Sequence, residues 1–148
     1  MLSLSPRRTD ELTPLAEELN LTSRIAASLR TQGVDPEDMT VSDLGLGLLR
    51  LAGYDLKKRR DGSFVATGHG FTTYVSFVPH EAGEHPELSE SAIARFLVAQ
   101  VSAHTERGLL MTDKYGPYLI YQKERANPDL LFVTRERLQD FVDTIAVS

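Results

Sequence analysis

The sequence predicts an α/β (α+β) domain built on a mixed sheet of about five strands flanked by helices. Apolar residues recur at helical spacing in several separate segments, with Leu12, Leu15 and Leu19 in the first and Leu138, Phe141, Val142 and Ile145 in the last. Two turn signals, Asp61-Gly62 and Gly68-His69-Gly70, divide residues 54–78 into three short strands. Two further apolar runs, 109–112 and 130–133, each stand between helical segments. A strand reached through a helix returns parallel to its predecessor, so meander and crossovers together give a mixed sheet.

The first helical segment spans Asp10 to Gln32, with Thr9 as its cap and Gly33 as its stop. Asn20-Leu21-Thr22 divides it, because Thr22 is a good second N-cap. A linker containing Pro36 follows. Thr40 and Asp43 form a capping box for a helix through Leu44, Leu48, Leu49 and Leu51 to Gly53. Gly45 and Gly47 weaken that helix by about 1 kcal/mol each relative to Ala, and suit it to close packing on a sheet. Strands are expected at Tyr54 to Lys58, Ser63 to Thr67 and Thr72 to Val78, ended by Pro79. After a polar loop, Ser89 or Ser91 opens a helix whose Ile93, Phe96, Leu97, Gln100 and Val101 share a face, stopped by Gly108. Tyr115 to Arg125, with Pro117 in its first turn, is a weaker helix, and Thr134 caps the last.

The chain has 148 residues, 41% hydrophobic and 25% charged, enough for a single core. Without cysteine there is no disulfide, thiolate metal site or cysteine nucleophile. No apolar stretch approaches a membrane span, and Met1 to Asp10 lacks the apolar run of a secretory signal, so a cytoplasmic location is expected. The net charge of −5 argues against a broadly basic nucleic-acid binder. Residues 1–60 carry nine basic and nine acidic residues; residues 61–148 carry seven against twelve. A phosphate-facing surface is therefore expected at Lys57, Lys58, Arg59 and Arg60, a run that otherwise reads as a solvated strand end.

Several stretches of the sequence resemble the Mrr-type branch of the PD-(D/E)XK restriction-endonuclease-like superfamily. They are Leu48 to Leu56 (a helix ending in Gly-Tyr before a strand), the Asp61-Gly62-Ser63 turn, Tyr74 to Val78, Arg107 to Thr112 and Leu131 to Leu138. The resemblance covers residues 44–146 and implies a domain over 40–148, preceded by a helical arm over 1–39. It also implies an acid on the second strand and an acid-x-Lys on the third, because carboxylates hold Mg²⁺ at the scissile phosphate and the ammonium stabilises developing charge. The matching positions here are Val65, Ser76 and Val78. They give a degenerate site with no metal or cofactor.

The implied protein is a catalytically inactive nuclease-fold module, DNA-associated or protein-interacting. The alternative is a Mg²⁺-dependent deoxyribonuclease with a relocated site at Asp55, Lys57, Asp61 and Glu81. Three further clusters have plain structural readings. His80, Glu81, Glu84 and His85 tempt a loop metal site, but Pro79, Gly83 and Pro86 break the helix that a zinc motif needs. Gln100 and His104 partly match a Gln-x-x-x-Tyr of related nucleases. Tyr115, Tyr118 and Tyr121, with Lys114 and Lys123, form an aromatic-basic cluster or a half-buried helix face. Expected partners are DNA, bound weakly and salt-sensitively, a protein, and a second copy through the N-terminal helices. Leu12, Leu15, Leu19 and Ile25 are more apolar surface than an isolated arm buries.

Overall fold

The computed structural model describes residues 12–147. Thr9, Asp10 and the start of the first expected helix lie outside the described residues. From Pro14 the chain forms two short helices, α1 (Leu15–Glu18) and α2 (Ser23–Thr31). Thr22 caps α2 through the N–H of Ile25, and Gly33 ends the turn at φ +85. Helix α3 (Val41–Leu51) opens on the complete Thr40–Asp43 capping box.

Strands β1 (Asp55–Lys58), β2 (Phe64–Gly68) and β3 (Phe71–Val78) form the antiparallel meander. His69 and Gly70 both take positive φ, 54 and 86, as a two-residue hairpin turn between twisted strands requires. Helix α4 (Glu90–Ser102), capped by Ser89, carries the chain to β4 (Arg107–Thr112), which lies parallel to β3. Helix α5 (Leu119–Ala126) leads to β5 (Leu130–Val133), parallel to β4, and α6 (Leu138–Ala146) closes the described chain. The result is one mixed sheet of order β1-β2-β3-β4-β5 with helices on both faces. None of the described helices is long and apolar enough to cross a membrane.

Alternation along the strands sorts the core into two layers. Ala66, Val75, Leu109, Met111 and Val133 pack with Ile25, Leu29, Leu44, Leu48 and Val142 from α2, α3 and α6. Tyr74, Leu110 and Phe132 pack on the other face with Ile93, Phe96 and Ile120 from α4 and α5. A Cβ at Gly45 would lie 2.5 Å from Phe77 Cε1 and 2.8 Å from Met111 Sδ, so α3 approaches the sheet closely there. Gly47 instead lets α3 close on Leu29 of α2.

The packing corrects several expectations. Leu15, Ile25 and Leu29 are buried in the same core as α3. Self-association through those side chains would displace intramolecular contacts. Gly108 does not stop α4; it sits inside β4 beneath Phe96 and Gln100, and His104 takes the left-handed position after the helix at φ 57. Val101 is 70% exposed rather than on the apolar face. Helix α5 starts at Leu119, leaving Tyr115 in a bridge to Glu87. Thr134 makes no side-chain cap; a 3₁₀ turn (Arg135–Arg137) intervenes before α6.

The outer edge of β5 is closed by side chains. Phe132 N–H donates to Glu124 Oε2 at 2.8 Å, and Arg137 Nη1 donates to Phe132 O at 2.8 Å. Arg137 also meets both Glu124 oxygens, at 2.7 and 3.0 Å. Glu124 thereby raises the Arg137 guanidinium pKa above its ordinary value. This pair occupies edge groups that would otherwise template another strand. Glu124→Ala strips the edge N–H and the guanidinium of an acceptor at once. We expect a loss of about 2 kcal/mol, the size of a charge-assisted hydrogen bond, read as a lower urea midpoint with unchanged slope.

Candidate functional site

The register of the meander brings the three positions Val65, Ser76 and Val78 to one sheet face. Val65 stands opposite Lys57 on β1 and Tyr74 on β3. Ser76 and Val78 follow Tyr74 at two-residue steps, so they point the same way. Val78 packs against the layer that includes Leu88, Ile93 and Phe96; Val65 and Ser76 are half-buried. The carboxyl ends of β3 and β4 are tied together beside them. Thr112 Oγ1 donates to Val78 O at 2.5 Å, and the N–H of His80 donates to Asp113 Oδ1 at 2.7 Å.

This donor set does not fit a hard divalent ion. One hydroxyl between two valines supplies neither the anionic oxygens that Mg²⁺ requires nor an ammonium to stabilise charge. No group of three or more His, Asp or Glu is placed to hold a metal among the described residues.

The relocated set is dispersed. Asp55 and Lys57 share a face of edge strand β1, both exposed. Asp61 lies past the opposite end of that strand, in the turn closed by the Gly62 N–H to Arg59 O hydrogen bond. Asp55 and Lys58 alone are about 10 Å apart along the strand. Glu81 sits in the loop after β3, where its N–H donates to Glu84 Oε1 at 3.0 Å.

The His80–His85 loop is tied to itself. His80 Nε2 contacts Glu84 O at 3.0 Å, and Glu87 N–H donates to His85 Nδ1 at 3.1 Å. Glu84 pairs with Lys114 at 3.2 Å, and the Glu81 N–H and Lys114 hold its carboxyl below the usual range. Gln100 is buried, its Nε2 donating to Thr105 O at 3.0 Å, whereas His104 is exposed beyond the helix end. Tyr118 and Tyr121 lie with ring centroids 6.0 Å apart, and the Arg137 guanidinium covers Tyr121 at 4.8 Å. Tyr115 is off the helix and Lys114 is turned to Glu84, so the aromatic-basic cluster is split.

The basic run is divided between the two faces of the hairpin. Lys57, Lys58 and Arg60 are exposed, while Arg59 is half-buried with its guanidinium 5.8 Å from the Tyr74 ring centroid. Arg59 Nε is buried and finds no hydrogen-bond partner among the described residues. The Arg59 N–H donates to Ser63 O at 2.8 Å, which carries the β1–β2 ladder one step further. Sequence reasoning grouped these four cations by adjacency and missed that Arg59 alone folds over the sheet. The signal lay in the alternation Lys57, Arg59 opposite Tyr74, Ser76, legible only once the register is known. On the opposite sheet face, at the amino ends of β4 and β5, a cavity of about 450 Å³ is lined by Leu49, Val75, Leu109 and Phe141 and rimmed by Arg107 and Asp129.

No protein-family model matches the sequence, and no curated protein matches it. One solved structure that matches is the DNA modification-dependent restriction endonuclease AspBHI. The match has a TM-score of 0.46 and 17% identity, and covers 97% of this chain and 45% of that one. At that identity and score the likeness concerns the general course of the chain, and the chain spans under half of that endonuclease.

The Ser63 hydroxyl and N–H, both donating to Asp61 Oδ1, hold its carboxyl below the usual range, with Arg59 adding to the effect. A depressed folded-state pKa contributes stability that is present above the unfolded value and lost as pH falls through the folded value. Asp61→Asn keeps an acceptor for the Ser63 N–H but removes the charge. Wild type should therefore melt higher than Asp61→Asn at pH 7, with the gap closing as pH falls below the ordinary carboxylate range. An unchanged gap would show that the carboxylate charge contributes nothing there.

Proposed function

We propose that this chain is a non-cutting nuclease-fold module that associates with DNA through Lys57, Lys58, Arg59 and Arg60. The observation that carries the reading is the shared sheet face of Val65, Ser76 and Val78, set beside a cationic hairpin. A meander followed by two parallel strands is the arrangement expected from the sequence resemblance. The positions where that resemblance implies two acids and a lysine hold two valines and a serine. The same face is approached by Lys57 and Arg59, which suit phosphate oxygens rather than a metal ion. With few clustered cations, few counterions are released, and binding should be weak and fall with salt.

Two measurements test this. Incubation of plasmid DNA with Mg²⁺ or Mn²⁺ should leave it supercoiled; metal-dependent cleavage abolished by Asp61→Ala would replace this reading with the relocated-site endonuclease. Binding to duplex DNA should weaken steeply between 50 and 200 mM salt, by roughly ten- to a hundredfold for a few phosphate contacts. It should vanish when the four cations are reversed to Glu. An absence of duplex binding at low salt would overturn the DNA-binding reading.

A further inference from the structure

We infer that one DNA phosphate is held on the sheet face itself, by Arg59 and Lys57 above the Tyr74–Ser76 segment, while Lys58 and Arg60 contribute only diffuse attraction. The inference deepens the DNA-binding reading and rests on it. Lys57 and Arg59 are two residues apart on one edge of the hairpin, so they share a face. Val65 and Tyr74 lie in the same row as Lys57. The guanidinium over the Tyr74 ring fixes Arg59 on that face, since Tyr74 belongs to the layer with Phe96 and Phe132. Lys58 alternates to the other side, and Arg60 lies in the exposed turn beyond the strand.

Four features favour a phosphate at this position. Tyr74 is buried, so the ring beneath the guanidinium is a rigid platform. Among the described residues the buried Arg59 Nε has no hydrogen-bond partner, so a small rotation that presents an Nε–Nη fork to a phosphate would give that donor an acceptor. Asp61, the nearest carboxylate in sequence, is engaged by both donors of Ser63 and only lies near Arg59 without an ion pair. Ser76 is half-buried and lies two residues beyond Tyr74 on the same face. A cation pair, an aromatic platform and a hydroxyl together suit a phosphodiester.

The test is a fluorescence-anisotropy titration of a short DNA duplex at fixed low salt with Arg59→Gln, Arg59→Lys, Lys57→Gln, Lys58→Gln and Arg60→Gln. Arg59→Gln and Lys57→Gln should weaken binding by about tenfold each, and Lys58→Gln and Arg60→Gln by about two- to threefold. Arg59→Lys should fall nearer to Arg59→Gln than to wild type, because the ammonium lacks the fork. Equal losses at all four positions would overturn the inference and leave the DNA reading standing; no duplex binding by wild type would overturn both. A second readout needs no variant in the binding assay. The Arg59 Nε–H resonance of the ¹⁵N-labelled wild type, assigned by its absence in Arg59→Lys, should shift as the duplex is added. An unmoved resonance at saturation overturns the inference.

Discussion

The constraint on which this structure depends is that β3 is covered on both sides and paired on both edges. It hydrogen-bonds antiparallel to β2 and parallel to β4. One of its faces carries Val75 and Phe77 toward α3; the other carries Tyr74 and Val78 toward α4. A strand in that position exposes little side chain to water, and an ionised group on it needs a partner to offset lost hydration. Val75 and Tyr74 meet the requirement by being apolar or aromatic. Ser76 meets it with a small neutral hydroxyl. The sheet can therefore be well packed through the very segment where a metal site would call for clustered charge.

Charge is displaced to where water can screen it. The chain as a whole is acidic at −5, but β1 and its turn concentrate four cations at one sheet edge. At the other edge, Glu124 and Arg137 are spent on each other and on the backbone of β5. Buried Arg135 ties the N-terminal segment into the fold, pairing with Glu18 at 2.5 Å and donating to Asp113 O at 3.1 Å. These ion pairs are structural. The cations of the β1 hairpin form no salt bridge among the described residues.

Much of the fold was legible because local chemistry and tertiary context agree. The Thr40–Asp43 box, the Thr22 and Ser89 caps and the two hairpin turns are decided by residues within a few positions of each other. Where the decision is made across the sheet, the sequence misleads. Gly108 resembles a helix stop, yet the helix ends earlier because His104 accepts the left-handed conformation and Gly108 is needed where β4 passes under Phe96. Thr134 resembles a cap, yet its buried hydroxyl has no partner among the described residues, while Glu136 receives the Gly116 N–H at 3.0 Å. The three positions Val65, Ser76 and Val78 could be named from the sequence, but their convergence on the face of Tyr74, and the folding of Arg59 over that ring, depend on register.

The central claim is that cationic side chains, and no divalent ion, make this sheet face attractive to DNA. The direct measurement is the affinity for one duplex in EDTA and in millimolar Mg²⁺ at matched ionic strength. Direct contact by Lys57 and Arg59 predicts affinity equal or slightly weaker with Mg²⁺, which competes for the phosphates. Tighter binding in Mg²⁺, lost again on chelation, would mean that carboxylates of this chain hold a metal at the DNA, and would contradict the account.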